Sequence, residues 1–340
     1  MGRKITMQNI ADYLGVTKVS VCKAINNQPG IGDALREKIL QTAKQMGYIK
    51  VKRDSDKQSY HFAWVCPKRF FLEDETFYST IYYYINKRCM EKEYSIVCFV
   101  INDKEESAGE LPVRLASENF DGIFIAGEFR HAYLDKLKEI NGVKIAIDFC
   151  MPHLGMDSIV SDNFSTGQEI TTYLIEKGHR KIGFVGNIHS TSSICDRYFG
   201  YLKALRLNGL EVREDWHVAN NDEITGLYTL NFPLPEELPT AFVCHCDKAA
   251  FTLMQKLEST GVRVPEDVSV ISFDNTSICD LITPKLTSVD IDRKQIALYS
   301  IDQMLYRIGH AQSLPRKIYL GCRLVERDSV RDLTAGDNRE

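Results

Sequence analysis

The sequence predicts a small all-α head followed by an α/β core of two doubly wound parallel-sheet lobes. Three observations carry that prediction. A helix-turn-helix spacing occupies the first twenty-seven residues. A basic N-terminal segment sits on an otherwise acidic chain. Two successive sets of short apolar runs then alternate with helical segments. At 340 residues the chain is long enough to bury a sizeable core in two or three domains.

The head comes first. Thr6 can cap a helix from about Met7 to Leu14, on which Ile10 and Leu14 share one face. Gly15-Val16 makes the turn, and Thr17 can cap a second helix to about Asn26. On that second helix Val21, Ala24 and Ile25 form the inner face, while Lys18, Val19, Cys22 and Lys23 fall opposite. A third helix from Asp33 to Met46 carries Leu35, Ile39, Ala43 and Met46 on one face, with Gly47 as its stop. Residues 1–48 thus read as one unit. A small apolar underside with lysines outside suits a helix that enters a DNA major groove. By spacing alone it equally suits an ordinary helical hairpin with solvated lysines. Charge favours DNA: residues 1–60 hold 11 Lys/Arg and 5 Asp/Glu, a net of +6, while the whole chain is −4, so the remainder carries −10.

Residues 49–61 are polar, charged and free of helical periodicity, and read as a linker. They contain no Leu, Met or Phe, only Ile49, Val51 and Tyr60 as apolar candidates. A minor-groove wedge needs an apolar side chain on an ordered helix. Lys50, Lys52, Arg53 and Lys57 instead suit phosphate contacts from a segment that is disordered without DNA.

From Phe62 onward the pattern changes. "FAWVCP", "YSIVCFVI", "DGIFIAG" and "VKIAIDF" read as buried parallel strands, and "KIGFVG", "TAFVC" and "VSVISFD" form a second set. Two open sheets in succession put a ligand where the carboxyl ends of their strands face a cleft. The turns there hold carboxylates and amides: Asn102-Asp103, Asp148-Phe149, Gly186-Asn187, His245-Cys246-Asp247 and Asp274-Asn275. Such groups suit a polyhydroxylated ligand, or merely cap the helices that follow. Ten cysteines are scattered singly apart from Cys244 and Cys246, a pair without further ligands at metal spacing, so no metal is expected. Scattered thiols, and the lack of a signal-peptide or membrane-length apolar run, imply a cytoplasmic protein. No G-x-S-x-G, Gly-rich phosphate loop or paired-acid arrangement marks an enzyme, and no cofactor is expected.

In family order the chain then shows "NIADYLGVTKVSVCKAIN", "REKILQTAKQMGY", "SIVSDNFSTGQEITTYLIEKGHRKIGFVG", "DRYFGYLKALRLNGL", "PTAFVCHCDKAAF", "GVRVPEDVSVISFDN", "LTSVDID" and "LVERDSV". In these blocks, from Ile5 to Arg331, it resembles bacterial transcription regulators of the lactose-repressor/galactose-repressor (LacI/GalR) family. The resemblance implies a periplasmic-binding-protein-like core over residues 62–340. Its two discontinuous lobes would be about 62–160 with 290–322, and 161–289 with 323–331. It implies a homodimer that binds a palindromic DNA operator, a small-molecule effector of sugar type, and repression of a carbohydrate-use operon. Lys18, Val19 and Lys23 match base-reading positions, and Thr6, Ser20 and Asn26 match backbone-contacting ones; Cys22 shares the outer face. In the core, Asp148, Arg197 and Asp274 match effector-binding positions. Cys246 stands where many relatives have Asn, Asn221 stands near a position where some carry a stacking aromatic, and Phe149 follows Asp148 where Arg is frequent. Phe70, Phe71, Phe77 and Tyr78 can add aromatic faces beside the cleft. The usual hinge helix, with its leucine wedge, has no counterpart between Leu40 and Leu72. Two other readings are a sugar-binding receptor without a DNA role, which the basic head opposes, and an enzyme on the α/β core.

Lys23 at a base edge predicts that Lys23→Ala costs about 1–3 kcal/mol at the true operator and relaxes preference at one base pair. Titrations of specific and random DNA check this; equal weakening on both would make Lys23 a phosphate contact.

Overall fold

The computed structural model describes residues 7–25, 30–46, 59–71, 77–151, 154–221 and 228–334. It divides into two units, Met1–Gln58 and Ser59–Glu340.

In the first unit α1 (Met7–Leu14), α2 (Lys18–Ile25) and α3 (Asp33–Gln45) pack around Ile10, Ala11, Val21, Ala24, Ile39 and Ala43. Leu14, Leu35 and Met46 close the edges of this core. Gly15, at φ 64°, takes the left-handed conformation that ends α1, and the Val16 amide bonds back to the Ala11 carbonyl at 3.0 Å. The Thr17 hydroxyl accepts the Ser20 amide at 3.1 Å, starting α2 one residue after the turn.

The second unit is built on parallel pairing. Its first lobe runs β1 (His61–Pro67), α4 (Phe77–Glu91), β2 (Ser95–Ile101), α5 (Asp103–Ala108), α6 (Val113–Ser117), β3 (Gly122–Ala126), α7 (His131–Glu139), β4 (Val143–Ile147) and β5 (Asp157–Ser161). The chain then enters the second lobe with α8 (Asn163–Glu176), β6 (Ile182–Val185), α9 (Ser192–Leu207), β7 (His217–Val218), β8 (Ala241–Cys244), α10 (Asp247–Ser259), β9 (Ser269–Asp274), α11 (Ile278–Leu281) and β10 (Thr287–Asp290). It returns with α12 (Arg293–Gly309) and β11 (Lys317–Leu320), and crosses again to β12 (Arg323–Val325). Among the described residues the sheets are β11-β5-β4-β3-β1-β2 and β12-β10-β9-β8-β6-β7. Every described strand pair is parallel except β10 with β12.

Apart from β2, which forms a sheet edge, the apolar runs become interior strands whose two faces are covered. Phe62 to Cys66 and Ile123 to Ala126 are fully buried. The strands that the apolar pattern did not mark, β5, β7, β10, β11 and β12, are short or polar. Asp157, Ser158 and Ser161 of β5 are buried, but they alternate with Ile159 and Val160 and give no continuous apolar run. The linker expected over 49–61 needs one correction: its last three residues belong to the core. His61 begins β1, with its amide on the Asp121 carboxylate at 2.9 Å. Tyr60 stacks edge-on to Tyr94, and Ser59 donates to the Glu93 carbonyl at 2.7 Å. Residues 47–58, on which the expected disorder and missing wedge rest, lie outside the described residues.

Helices α8 and α9 touch backbone to backbone. A methyl group at Gly167 or Gly200 would run into the Arg197 and Phe164 carbonyl oxygens, so only glycine admits this approach. Among the described residues no helix is long and apolar enough to cross a membrane, and the described cysteines are all free thiols.

A buried ion pair joins the returning helix to the first lobe. The Asp157 carboxylate accepts from Arg307 Nε at 2.9 Å, from Arg307 Nη2, from Gln303 Nε2 at 2.5 Å and from the Arg316 amide at 2.7 Å. Burial raises its pKa, but these bonds outweigh burial and hold it below the ordinary carboxylate value. Arg307→Ala leaves the carboxylate enclosed without its counter-ion. The expected loss is about 3–5 kcal/mol, read as a lower urea midpoint at pH 7.

Candidate ligand cleft and head surface

The carboxyl ends of both sheets meet at a cavity of about 870 Å³ of empty space, part of it open to solvent. Phe77, Tyr78, Asp148, Arg197, Asn221, Cys246 and Asp274 all line it. So do Arg69, Ser190, Thr191, Ser193, Ile194 and Tyr228, which sequence reasoning passed over, and His245, which it placed in a strand-end turn. Phe70 is at the wall, whereas Phe71 packs against the edge of Tyr82 and lines nothing. Of the strand-end turns, Asn102 caps α5 and Asn187 accepts the His189 amide, so both serve the backbone.

Each polar side chain has a definite mount. Asp148 follows β4 at φ 66°, and Asp274 ends β9 at φ 99°, both in the left-handed region that side chains other than glycine rarely adopt. The Asp274 turn is fixed from below by Asp247, which accepts from Ser272 Oγ (2.5 Å), Ser288 Oγ (2.6 Å), the Thr276 amide (2.6 Å) and Thr276 Oγ1 (2.9 Å). These bonds pin the ends of β9 and β10 to the start of α10. Arg197, only 4% exposed, projects from α9. Its Nε donates to Asn163 Oδ1 at 2.8 Å, its Nη1 donates to the His245 carbonyl and stands 3.6 Å from Asp274 Oδ1, and its plane lies 4.4 Å from the Phe273 ring centre.

On the first-lobe side, Tyr78 donates to Asp148 Oδ2 at 2.7 Å. The other oxygen, Asp148 Oδ1, is buried with no hydrogen-bond partner among the described residues, as are Asn221 Oδ1 and Ser190 Oγ. Two of those three atoms can only accept, so the cleft asks its occupant for donors. Tyr228 faces His245 across 6.0 Å and bridges Asn221 in an isolated β-bridge. His245 donates from Nδ1 to the Val185 carbonyl at 3.2 Å, which leaves Nε2 to accept from the Tyr228 hydroxyl at 3.0 Å. That hydroxyl is also 3.0 Å from Cys246 Sγ, and Cys246 caps α10 by accepting the Ala249 amide at 3.4 Å.

Burial governs the titrations. It pushes Asp148 above the ordinary carboxylate value, opposed by the Arg197 charge and the Tyr78 hydrogen bond. It raises Asp274 to about 7, opposed by Arg197 and aided by Asp247 and Asp148. Burial, then the Arg197 charge, lowers His245 to about 4, so the imidazole is neutral. Tyr78 rises well above its ordinary value through burial and the Asp148 charge.

On the head, Lys18 and Val19 are exposed on α2, Val19 at 63%. Ser20 and Lys23 are half-buried, and the Lys23 ammonium lies beside Gly30. Val21 and Ala24 are buried on the opposite face. Thr6 and Asn26 lie outside the described residues, as does the side chain of Cys22.

The missed cleft residues had little local signal. Tyr228 sits in an irregular loop. Cys244 is buried in β8, and no group of three metal-ligating side chains is gathered among the described residues.

Residues 6–50 match the model of bacterial regulatory proteins of the lacI family, and residues 171–330 match a periplasmic binding protein-like domain. A probable HTH-type transcriptional repressor, ExuR of Bacillus subtilis, is 26% identical over 97% of this chain and 99% of its own length. The HTH-type transcriptional repressor PurR of Vibrio cholerae is 25% identical over 97% and 99%. Among solved structures, a transcriptional regulator CelR–cellobiose complex superposes with TM-score 0.68 at 22% identity, covering 96% of this chain and 99% of its own. A lac repressor dimer bound to operator and an anti-inducer gives 0.67 at 20%, covering 97% and 100%.

The raised Asp274 carboxyl has a signed consequence for stability. Between pH 4 and 7 the unfolded chain ionises this group while the folded chain keeps its proton, so folding stability falls as pH rises through that window. Asp274→Asn should remove that part of the slope. Thermal melts at pH 4 and pH 8 check it: the melting-temperature difference between variant and wild type should shift in the variant's favour by several degrees at pH 8, at about 2–4 °C per kcal/mol.

Proposed function

We propose, for a chain that belongs to the lacI family of bacterial regulatory proteins, that its cleft binds a neutral, hydroxyl-rich sugar and that occupancy controls operator binding by the basic head. The protein is a DNA-binding transcriptional regulator, a repressor, and not an enzyme. The observation that carries the ligand assignment is the set of buried, unpartnered acceptors Asp148 Oδ1 and Asn221 Oδ1 in a cavity walled by Phe77, Tyr78 and Tyr228. Sugar hydroxyls can donate to those oxygens, and aromatic rings can cover the apolar faces of a pyranose or furanose. Arg197 donates to ring or hydroxyl oxygens, and Asp274, with a pKa about 7, can act as donor or acceptor. An anionic sugar would bring acceptors to a site already rich in them and set its charge against two carboxylates.

The sugar bridges residues of both lobes, and its differential affinity for the closed and open arrangements is what shifts the head between DNA-bound and free states. Lys18, Val19 and Lys23 read base edges, with Thr6, Ser20, Cys22 and Asn26 around them on the backbone side. A homodimer places two such heads on the half-sites of a palindromic operator of a carbohydrate-use operon, in the cytoplasm. Solved relatives are bound to cellobiose, ribose and sucrose, which supports sugar as the class.

A thermal-shift screen of cellobiose, sucrose, glucose and ribose against glucuronate and sugar phosphates tests the assignment. A neutral sugar at 100 times its Kd adds about 2.7 kcal/mol and raises the melting temperature by several degrees. Arg197→Ala should abolish that rise while leaving the variant folded. A larger shift from an anionic sugar than from any neutral one would overturn the reading.

A further inference from the structure

We infer that Glu128 is a positioning residue that ties the two lobes together at the rim of the cleft. Glu128 follows β3 in the first lobe, and its carboxylate Oε2 accepts the backbone amide of Ser192, the first residue of α9 in the second lobe, at 2.7 Å. The first amides of a helix have no partner inside it. The local cap, Thr191, already serves the Ile194 amide, so the acceptor for Ser192 comes from the other lobe. A carboxylate is the favoured group there, since the helix N-terminus carries partial positive charge and the hydrogen bond is charge-assisted.

The mount of Glu128 is rigid, which is what distinguishes a tie from a surface contact. Its own carbonyl accepts from Arg69 Nη2 at 2.8 Å. The Arg69 guanidinium is held in turn by both oxygens of Glu106, whose side chain is fully buried. Glu106 also accepts the Arg130 amide at 2.6 Å, so the backbone is fixed on the Glu128 carbonyl and two residues beyond it. At the far end of the tie, Ser193, Ile194 and Arg197 of α9 face the cavity. The position of the Arg197 guanidinium relative to Asp148 of the first lobe is therefore set partly by one cross-lobe hydrogen bond. Glu128 does not need to touch a ligand to act; it holds the helix that does.

Hydrogen-exchange mass spectrometry on the full chain without added ligand tests this. Glu128→Ala should speed exchange about tenfold at amides on both cleft walls, residues 146–150 of the first lobe and 190–197 and 244–249 of the second, with the sheet interiors unchanged. Glu128→Gln keeps a neutral acceptor of the same reach and should fall between wild type and Glu128→Ala; it also supplies the measurement if the alanine variant fails to fold. Faster exchange confined to residues 190–194 would reduce Glu128 to a local cap and overturn the inference. No change, or a uniform rise that includes the strand interiors, would overturn it as well.

Discussion

A guanidinium taken out of water must be answered on every side, and the cleft is organised around how Arg197 is answered. Its edge is met by the Asn163 amide oxygen and the His245 carbonyl, its charge by Asp274, and its face by the Phe273 ring. Those partners come from α8, the loop before α10, and the last two residues of β9. The close approach of α8 and α9 through Gly167 and Gly200 is what brings Asn163 within reach. An unpaired buried charge is among the costliest defects a fold can hold, so the arrangement of these elements and the presence of Arg197 are mutually dependent. Burial sets the direction of each titration in the cleft, and the same Arg197 charge adds to the lowering of His245 and opposes the rise of the two carboxyls.

Parallel pairing accounts for why such different segments converge. A parallel sheet sends every strand's carboxyl end to one edge, and two such sheets facing each other bring two rows of turns together. Asp148 and Asp274 sit at the ends of β4 and β9 in those rows, with backbone angles that few residues other than glycine tolerate. The Asp247 network shows what sustains one of them: four donors on a single buried carboxylate fix the turn, and the strain at Asp274 is carried by that framework.

The sequence was legible where burial and periodicity agree. The three head helices and the interior strands announce themselves because their side chains are sorted by exposure. Asp148 and Asp274 were marked by their strand-end turns, whereas Arg197 was reachable only through the family resemblance, since a lone arginine mid-helix has no local pattern. Tyr228 and Glu128 were invisible for a different reason. Each acts through a contact with residues far away in sequence, Tyr228 with His245 and Glu128 with Ser192, and neither lies in a periodic element. β5 and β11 were missed because polar residues bracket the two apolar ones of β5, and edge strand β11 has no buried residue. Phe71 was one of four aromatics over residues 70–78 considered for the cleft, and it packs on the core against Tyr82 instead.

The chain's three crossings between lobes bear on how the molecule is made. Lobe one receives α12 and β11 only after residue 293, and lobe two receives β12 and the Ser329 contacts to Val270 and Thr287 later still. A chain emerging from a ribosome can complete its head within the first fifty residues, yet neither core sheet acquires its last strand until some 320 residues are out. For most of synthesis a competent DNA-binding module would trail an unfinished core, its apolar strand edges awaiting their partners and dependent on the cell's chaperones. Premature termination just before residue 317 therefore strikes both lobes at once, because it takes β11 from one sheet and β12 from the other.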